Sequence, residues 1–295
     1  MTLPFPKLHR TLAVASLAVA SWSVTEAQTV TSTLANGDLA AAAAPSDSAG
    51  IRPDHLWTAD YVGLLWSDTG AVITGPLHWN ERDWILAGIA VASIAGSSSL
   101  DRIVERNVQA HRTASENRFF SQYQNFGSTW SFGVIGAFEV WGEAMGDTRA
   151  KDTAMDALTA SIIGPGLIGT SVKYVAGRVR PNSAKFTFEF RPFSGNQAFP
   201  SGHTAQAFAV GTAIAENYPA WWVQTLCYGG ATLVGYARIE QNAHATSDVV
   251  AGAILGWSVA RQVVHRHDRP PSPKKLSWSP YVDGTGGGVL FFKSF

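Results

Sequence analysis

The chain has 295 residues, a formal net charge of zero at pH 7 and a sequence pI near 7.1. This neutral balance lacks the basic footprint of nucleic-acid-binding proteins, so no nucleic-acid partner is expected. Charged residues make up only 15% of the chain and hydrophobic residues 46%, whereas about 25% of residues are charged in ordinary soluble domains. The composition therefore predicts either a large buried core or a surface that lies against a membrane.

The N-terminus has the pattern of a secretory signal. A basic start with Lys7 and Arg10 precedes the apolar run Thr11–Trp22, and Thr25–Ala27 offers small residues for cleavage after Ala27. This apolar run is too short to cross about 30 Å of hydrocarbon comfortably. We therefore predict a signal peptide over residues 1–27, a flexible Ala/Ser/Thr-rich linker over residues 28–50, and an exported protein of the periplasm or cell envelope.

The remaining chain reads as helical. Residues 51–82 mix tryptophans with Asp, Gly and Pro and predict an irregular N-terminal layer. The predicted helices are Trp84–Leu100, an amphipathic segment through Asn117, Phe119–Trp141, Lys151–Lys173, Thr204–Asn217, Ala220–Arg238 and Thr246–Val264. Their dense apolar residues predict an all-α fold, a helical bundle. They fit buried core helices at least as well as membrane spans, so a membrane association stays open.

The C-terminal region differs in composition from the helical segments before it. His265–Lys275 is basic and Pro-rich, and the His265/His267 pair is interpreted as a solvated helix end rather than a metal site. Leu276–Val282 and Val289–Phe295 flank DGTGGG and favour a short β-hairpin. The predicted organisation is thus a helical domain over residues 51–268, with a motif core at 84–265, followed by the break and hairpin over residues 269–295.

Three short segments place phosphate-compatible side chains in order. In the first, Lys173 and Arg180 are two helical turns apart and would share a face if the helix ran on to Arg180, where Pro181 stops it. Arg238 ends another apolar helix and would be a third cation. Arg178 lies off this face and is expected to be solvated or ion-paired. The ordinary structural alternative is that these cations complement helix dipoles.

The second segment is Phe199–His203, a tight turn before an apolar helix. Ser201 can donate its hydroxyl, Gly202 lets backbone N–H groups approach an anion, and His203 can protonate a leaving oxygen. The alternative is a plain helix-start signal.

The third segment pairs His244 with Asp248, four residues on. A carboxylate at this spacing can bind one ring nitrogen and raise the basicity of the other, as for an oriented nucleophile. A capped helix with an incidental histidine is the alternative.

Together, the three segments resemble the motifs of the type 2 phosphatidic acid phosphatase superfamily. Its motifs are K-x6-R-P, P-S-G-H and S-R-x5-H-x3-D. Here they read Lys173…Arg180-Pro181, Pro200-Ser201-Gly202-His203 and Arg238…His244…Asp248. The superfamily includes class A acid phosphatases and vanadium haloperoxidases, and the resemblance covers roughly residues 84–265. One position departs from it, because Ala237 stands where the third motif begins with serine.

The resemblance implies a mechanism and a substrate class. It implies that His244 attacks phosphorus to form a phosphohistidine, that Asp248 orients it, and that His203 protonates the leaving oxygen. It implies that the phosphate is held by Lys173, Arg180, Ser201, Gly202 and Arg238. No metal and no cofactor are implied, although vanadate could occupy the site as a phosphate mimic. The expected substrate is a phosphorylated small molecule or a lipid (pyro)phosphate.

Two alternatives follow from the same residues. A vanadate-dependent haloperoxidase would use the same pocket, with His244 binding vanadium. A non-catalytic envelope protein could retain the fold without turnover, and Ala237 is the feature that favours it. The sequence does not predict an oligomeric state.

Overall fold

The computed structural model describes residues 52–185, 188–268, 277–283 and 286–292. In this part of the chain the α-helices are α1 (Ala59–Thr74), α2 (Glu81–Ser98), α3 (Asp101–His111), α4 (Ala114–Tyr123), α5 (Thr129–Met145), α6 (Thr148–Ser161), α7 (Thr170–Ala176), α8 (Gly202–Asn217), α9 (Trp221–Glu240) and α10 (Thr246–His267). A π-helical segment, Ile162–Gly169, joins α6 to α7. A 3₁₀ turn follows α1 at Gly75–His78, and another follows α4 at Gln124–Gly127. The all-α fold class is confirmed.

Some predicted segments cannot be compared with the structure. The signal peptide over residues 1–27 and the linker over residues 28–50 lie outside the described residues, as do residues 269–276 of the Pro-rich break. The expected hairpin is present. Strand β1 (Ser277–Asp283) pairs antiparallel with β2 (Gly286–Phe292), and Ser277 stands opposite Phe292.

Helix α1 corrects the prediction of an irregular layer over residues 51–82. The Thr58 hydroxyl accepts a hydrogen bond from the Tyr61 backbone N–H at 3.3 Å and so caps the helix start. Tyr61 and Leu64, three residues apart, pack with Met155 of α6. Scattered Gly and Asp lower the helix propensity of this segment, but burial of its apolar face outweighs that preference. The cap and the spacing were the signals available in the sequence.

The predicted helix Phe119–Trp141 is two helices, because the chain breaks at Gln124–Gly127. The break turns α5 away from the line of α4 and places Gln124 beside the last turn of α9, where its side chain bonds Arg238. The helices predicted over residues 84–100, 204–217, 220–238 and 246–264 agree with α2, α8, α9 and α10 within a few residues at each end.

Helix α8 forms the centre of the bundle. It buries most of its length, packing in one cluster with α5, α6 and α10 and in a second with α9 and α10. At one level of the core Ala160, Ala209 and Ala260 meet from α6, α8 and α10. Such small side chains let helix axes approach closely, and close packing leaves little freedom for α8 to shift. The N-terminus of α8 and the loop before α10 are therefore held in fixed relation.

No single helix within the described ranges has the length and apolar character needed to cross a membrane. Helices α2 and α3 pass that test only as a pair, with a 51° bend between them.

Candidate active site

The three motif segments converge at one end of the bundle. Lys173 lies in α7, His203 in the first turn of α8, Arg238 in the last turn of α9 and His244 in the loop before α10. The pKa of His203 reflects this convergence: burial, followed by the charges of Arg238, His244, Lys173 and Arg180, lowers it to about 3. Residues from separate parts of the chain therefore act on one imidazole.

The expected helix from Lys173 to Arg180 is wrong in its C-terminal part. Helix α7 ends at Ala176 because Gly177 adopts the left-handed conformation, with φ of 57°. A side chain at Gly177 would also meet the Arg191 carbonyl, since a Cβ there would lie 1.8 Å from its oxygen. Lys173 and Arg180 therefore meet through a turn and an extended segment rather than along one helix face.

Lys173, Arg180 and Arg238 form a cluster of like charges. Burial, followed by the charges of Arg180 and Arg238, lowers the pKa of Lys173. Burial and Arg180 likewise lower the pKa of Arg238 to about 10. Within the described residues none of the three has a carboxylate partner, and the buried Nε of Arg238 has no hydrogen-bond acceptor. Such a cluster is suited to an anion with several oxygens.

The Phe199–His203 turn presents backbone donors to this cluster. Ser201 is fully buried, its N–H donates to the Asp248 carbonyl at 2.9 Å, and its Oγ accepts from the Thr204 hydroxyl at 2.9 Å. No side chain in the described part of the chain caps the start of α8, which leaves its first N–H groups available to an anion. A Cβ on Gly202 would lie 2.7 Å from Lys173 Nζ, so a larger residue there would displace that amine from its position.

The geometry of His244 differs from the expected pairing with Asp248. His244 Nδ1 lies 2.7 Å from the Ala198 carbonyl oxygen but 3.7 Å from Asp248 Oδ2. Nδ1 therefore donates to the carbonyl, and Nε2 is left as the unprotonated nitrogen. Burial lowers the pKa of His244, and the Arg238 charge adds to this, while Asp248 acts in the opposite direction. His244 is thus neutral near pH 7, as a nucleophile must be.

Asp248 holds the loop instead of the ring. Its Oδ2 accepts from the Ala245 N–H at 2.8 Å, and its Oδ1 accepts from Arg178 at 2.6 Å. The alternative that Arg178 is ion-paired is confirmed, and it is buried rather than solvated: Arg178 also bonds Asp101 of α3 at 2.8 Å.

Sequence reasoning missed two residues that contact the motif side chains. Asp101 lies 72 residues before Lys173 in the chain and accepts from Arg178 within the first motif segment, and the Gln124 side-chain oxygen accepts a hydrogen bond from Arg238. Neither stands in a motif, and the only signal was that each is polar and close to the end of an apolar segment. Position 237 is fully buried. Because the residue there is alanine, it offers no hydroxyl to the site.

Comparison with known proteins points to the part of the chain that contains the three motif segments. Residues 154–270 match the model of the PAP2 superfamily. A lipid A 1-phosphatase of Porphyromonas gingivalis is 28% identical over 174 residues, which cover 55% of this chain and 35% of the relative. A lipid A 1-phosphatase of Rhizobium etli is 36% identical over 106 residues, covering 34% of this chain and 45% of the relative. The chain thus spans less than half the length of these relatives.

Among solved structures, the crystal structure of Aquifex aeolicus LpxE is similar over 56% of this chain and 95% of that chain, with 21% identity and a TM-score of 0.45. The matched residues 154–270 contain all three motifs, from Lys173 to Asp248. The resemblance predicted from these motifs is therefore confirmed over residues 154–270, the part of the chain that matches the PAP2 superfamily.

Proposed function

We propose that this chain is an exported, metal-independent phosphatase that hydrolyses phosphate monoesters or lipid (pyro)phosphates through a phosphohistidine. The observation that carries the proposal is the cluster of Lys173, Arg180 and Arg238 without carboxylate partners in the described residues, next to a neutral histidine. Phosphoryl transfer depends mainly on positioning and on stabilising charge over three oxygens, and three cations can supply this.

In the proposed first step, the lone pair of His244 Nε2 forms a bond to phosphorus while the bond from phosphorus to the leaving oxygen breaks. That oxygen takes a proton from His203. In the second step, His203 accepts a proton from water as the water oxygen bonds to phosphorus and the N–P bond breaks. Asp248 fixes the His244 loop through Ala245 and Arg178.

The pKa of His203 bears on its proposed role as an acid. Burial and the neighbouring cations lower this pKa to about 3, so an uncompensated His203 is neutral near pH 7. A phosphate dianion would offset the cations and raise the pKa. His203 would thus become a competent acid together with the bound substrate.

An aromatic surface next to the cations favours an amphiphilic substrate. Phe119, Tyr123, Phe126 and Trp130 follow one another with ring-centroid distances of 5.6, 5.4 and 5.0 Å. We call these four rings the aromatic ladder. They line a groove of about 690 Å³. Gln124, in the same break between helices, bonds Arg238. A hydrocarbon chain lying on the ladder would place its phosphate toward the cations.

The location we propose is a membrane surface of the cell envelope. Phe119, Phe126 and Trp130 are exposed, as are Trp221 and Trp222 at the start of α9. Exposed large apolar side chains that stand next to one another, as in the aromatic ladder, usually mark contact with a membrane or a partner. A lipid substrate would be met at that surface.

A substrate panel tests the proposed function. We expect purified protein to hydrolyse lipid A, phosphatidic acid and an isoprenoid pyrophosphate with kcat/KM at least about tenfold above that for p-nitrophenyl phosphate, since burial of about two methylenes accounts for such a factor. Rates should be unchanged by EDTA. The double variant Phe126→Ser/Trp130→Ser should lose the lipid preference and keep the p-nitrophenyl phosphate rate, while Trp66→Ser, at an exposed tryptophan of α1, keeps both.

Strict dependence on a metal would contradict the metal-free mechanism. Halide oxidation with added vanadate and peroxide, without phosphatase activity, would favour the haloperoxidase alternative. Binding of phosphate without turnover would favour the non-catalytic one.

His203→Ala provides a separate test of the acid. We expect a loss of about a hundredfold or more with an alkyl phosphate and a clearly smaller loss with p-nitrophenyl phosphate, because p-nitrophenolate leaves without a proton. The measurement is kcat for both substrates, with the exposed His111→Ala as the matched control. Equal losses for the two leaving groups would remove His203 from the acid role.

A further inference from the structure

Helix α10 begins without a capping side chain at its N-cap position. Its N-cap position is Ala245, which has no side-chain oxygen, so the first N–H groups need acceptors from elsewhere. Asp248 supplies one by accepting from the Ala245 N–H. The second comes from a different helix, because Asp101 Oδ1 accepts from the Ser247 N–H at 2.8 Å.

Asp101 and Arg178 complete a buried network around this helix start. Asp101 Oδ2 accepts from the Ser247 hydroxyl at 2.7 Å and from Arg178 Nη2 at 2.8 Å. Arg178 Nη1 donates to the Ser247 hydroxyl at 2.7 Å and to Asp248 Oδ1 at 2.6 Å. Asp101 is 1% exposed and Arg178 is 3% exposed. The planar guanidinium therefore joins two carboxylates from different helices in fixed geometry.

This network acts on the residue that precedes it. His244 is adjacent to Ala245, and its ring is fixed by the Ala198 carbonyl and by the path of this loop. A shift of the start of α10 would move Nε2 relative to the cations, and small misplacements are costly for phosphoryl transfer. Asp101 lies outside residues 154–270, the part that matches the superfamily.

We propose that Asp101 and Arg178 are positioning residues for His244: Asp101 caps α10 from α3, and Arg178 ties that cap to Asp248. This proposal rests on the proposed function, since it assigns the nucleophilic role to His244. Neither residue is expected to touch the substrate.

The opposite charges of the two residues give opposite effects on His244. Removing the Asp101 carboxylate leaves Arg178 less compensated, which disfavours a protonated His244. Removing Arg178 leaves the Asp248 charge uncompensated, which favours a protonated His244. The other charged or titratable groups around His244 are Arg238 from α9 and His203 from α8, with Lys173 and Arg180 acting on His203. These remain the same in every variant, so they cannot produce the difference in sign.

The test compares Asp101→Asn, Arg178→Gln and their double variant. We expect the acid limb of kcat/KM for p-nitrophenyl phosphate to move down by about half a pH unit or more in Asp101→Asn and up by a similar amount in Arg178→Gln. In the double variant the two shifts should cancel, while kcat stays at least about tenfold below wild type because the Arg178 fork no longer ties the Asp101 side chain to Asp248. Glu143→Gln removes a carboxylate at the far end of α5 and is the charge control.

Two further measurements keep the test decisive. Arg178→Lys retains the charge but not the fork, so its acid limb should stay in place while kcat falls, even if Arg178→Gln does not fold. Histidine-ring NMR, with the His244 signal assigned from His244→Gln, should show the same opposite shifts without any turnover. Shifts in the same direction, or none larger than in Glu143→Gln, would overturn the proposal. Absence of phosphatase activity in the wild type would instead contradict the proposed function, and the NMR titration would still decide the network.

Discussion

His244→Ala is expected to lower the turnover of p-nitrophenyl phosphate at least about a thousandfold, because removal of a nucleophile leaves only binding and charge stabilisation. The protein should remain folded. The substitution leaves the Ala198 carbonyl without its donor, which costs about 1–3 kcal/mol for a buried acceptor, against a total stability of about 5–15 kcal/mol. The measurements are kcat and the thermal unfolding midpoint of the same preparation.

The matched control for this substitution is His265→Ala, which removes an exposed histidine of α10 that bonds Glu216 of α8. It should keep wild-type turnover. Rapid quenching of wild-type protein at alkaline pH should yield an acid-labile, base-stable phosphoprotein, since phosphohistidine has that stability pattern, and His244→Ala should yield none. Turnover close to wild type in His244→Ala would place the nucleophile elsewhere.

The motif residues could be predicted from the sequence because their chemistry depends on local spacing. Ser201, Gly202 and His203 are consecutive, and His244 and Asp248 are four residues apart. A turn or a helix start keeps such neighbours together whatever the rest of the chain does. The all-α fold followed equally from dense apolar segments, since burial of these faces is what most stabilises helices in proteins.

The partners of these motif residues could not be predicted, because they come from distant segments. Arg178 was assigned no partner in the sequence, yet it joins Asp101 to Asp248. The expected contact between Asp248 and His244 is present, but at 3.7 Å it is longer than a hydrogen bond, for a related reason. The carboxylate is already occupied by Arg178 and Ala245, and the Ala198 carbonyl lies closer to the ring. Competition between several acceptors depends on the path of the backbone, which spacing alone does not contain.

His267 shows the same limit at the other end of α10. Its basic neighbours indicated a solvated helix end, and for His267 this was wrong. The side chain is 0% exposed, with Nδ1 at 2.6 Å from Asp156 and Nε2 at 2.7 Å from Asp68. Successive helix residues point about 100° apart, so an inward histidine can sit between outward cations. Arg52, from the segment before α1, also bonds Asp156 at 2.9 Å.

This buried cluster joins α1 and α6 to the end of α10, and it predicts a pH-dependent stability. Burial alone would lower the pKa of His267, but the hydrogen bonds and charges of Asp156 and Asp68 outweigh it and raise the pKa to about 9. The unfolded value is about 6.5. A raised pKa contributes stability that is complete below about pH 6.5 and is lost as the pH rises through about 9, an effect on the order of 3 kcal/mol.

His267→Gln should therefore separate this cluster from other titrating groups. The variant removes the cation that Asp156 and Asp68 share and leaves them paired only with Arg52 and Arg266, so we expect a loss of about 3 kcal/mol at pH 6.5. Its free energy of unfolding should then change little between pH 6.5 and 9.5, while that of the wild type falls toward it. Denaturant unfolding across this pH range measures both, with the exposed His265→Gln as the control that should follow the wild type. Parallel curves for wild type and His267→Gln would mean that the proton on His267 is not what holds the cluster together. The cluster would then be held by the pairs Arg52–Asp156 and Arg266–Asp68, which do not depend on pH in this range.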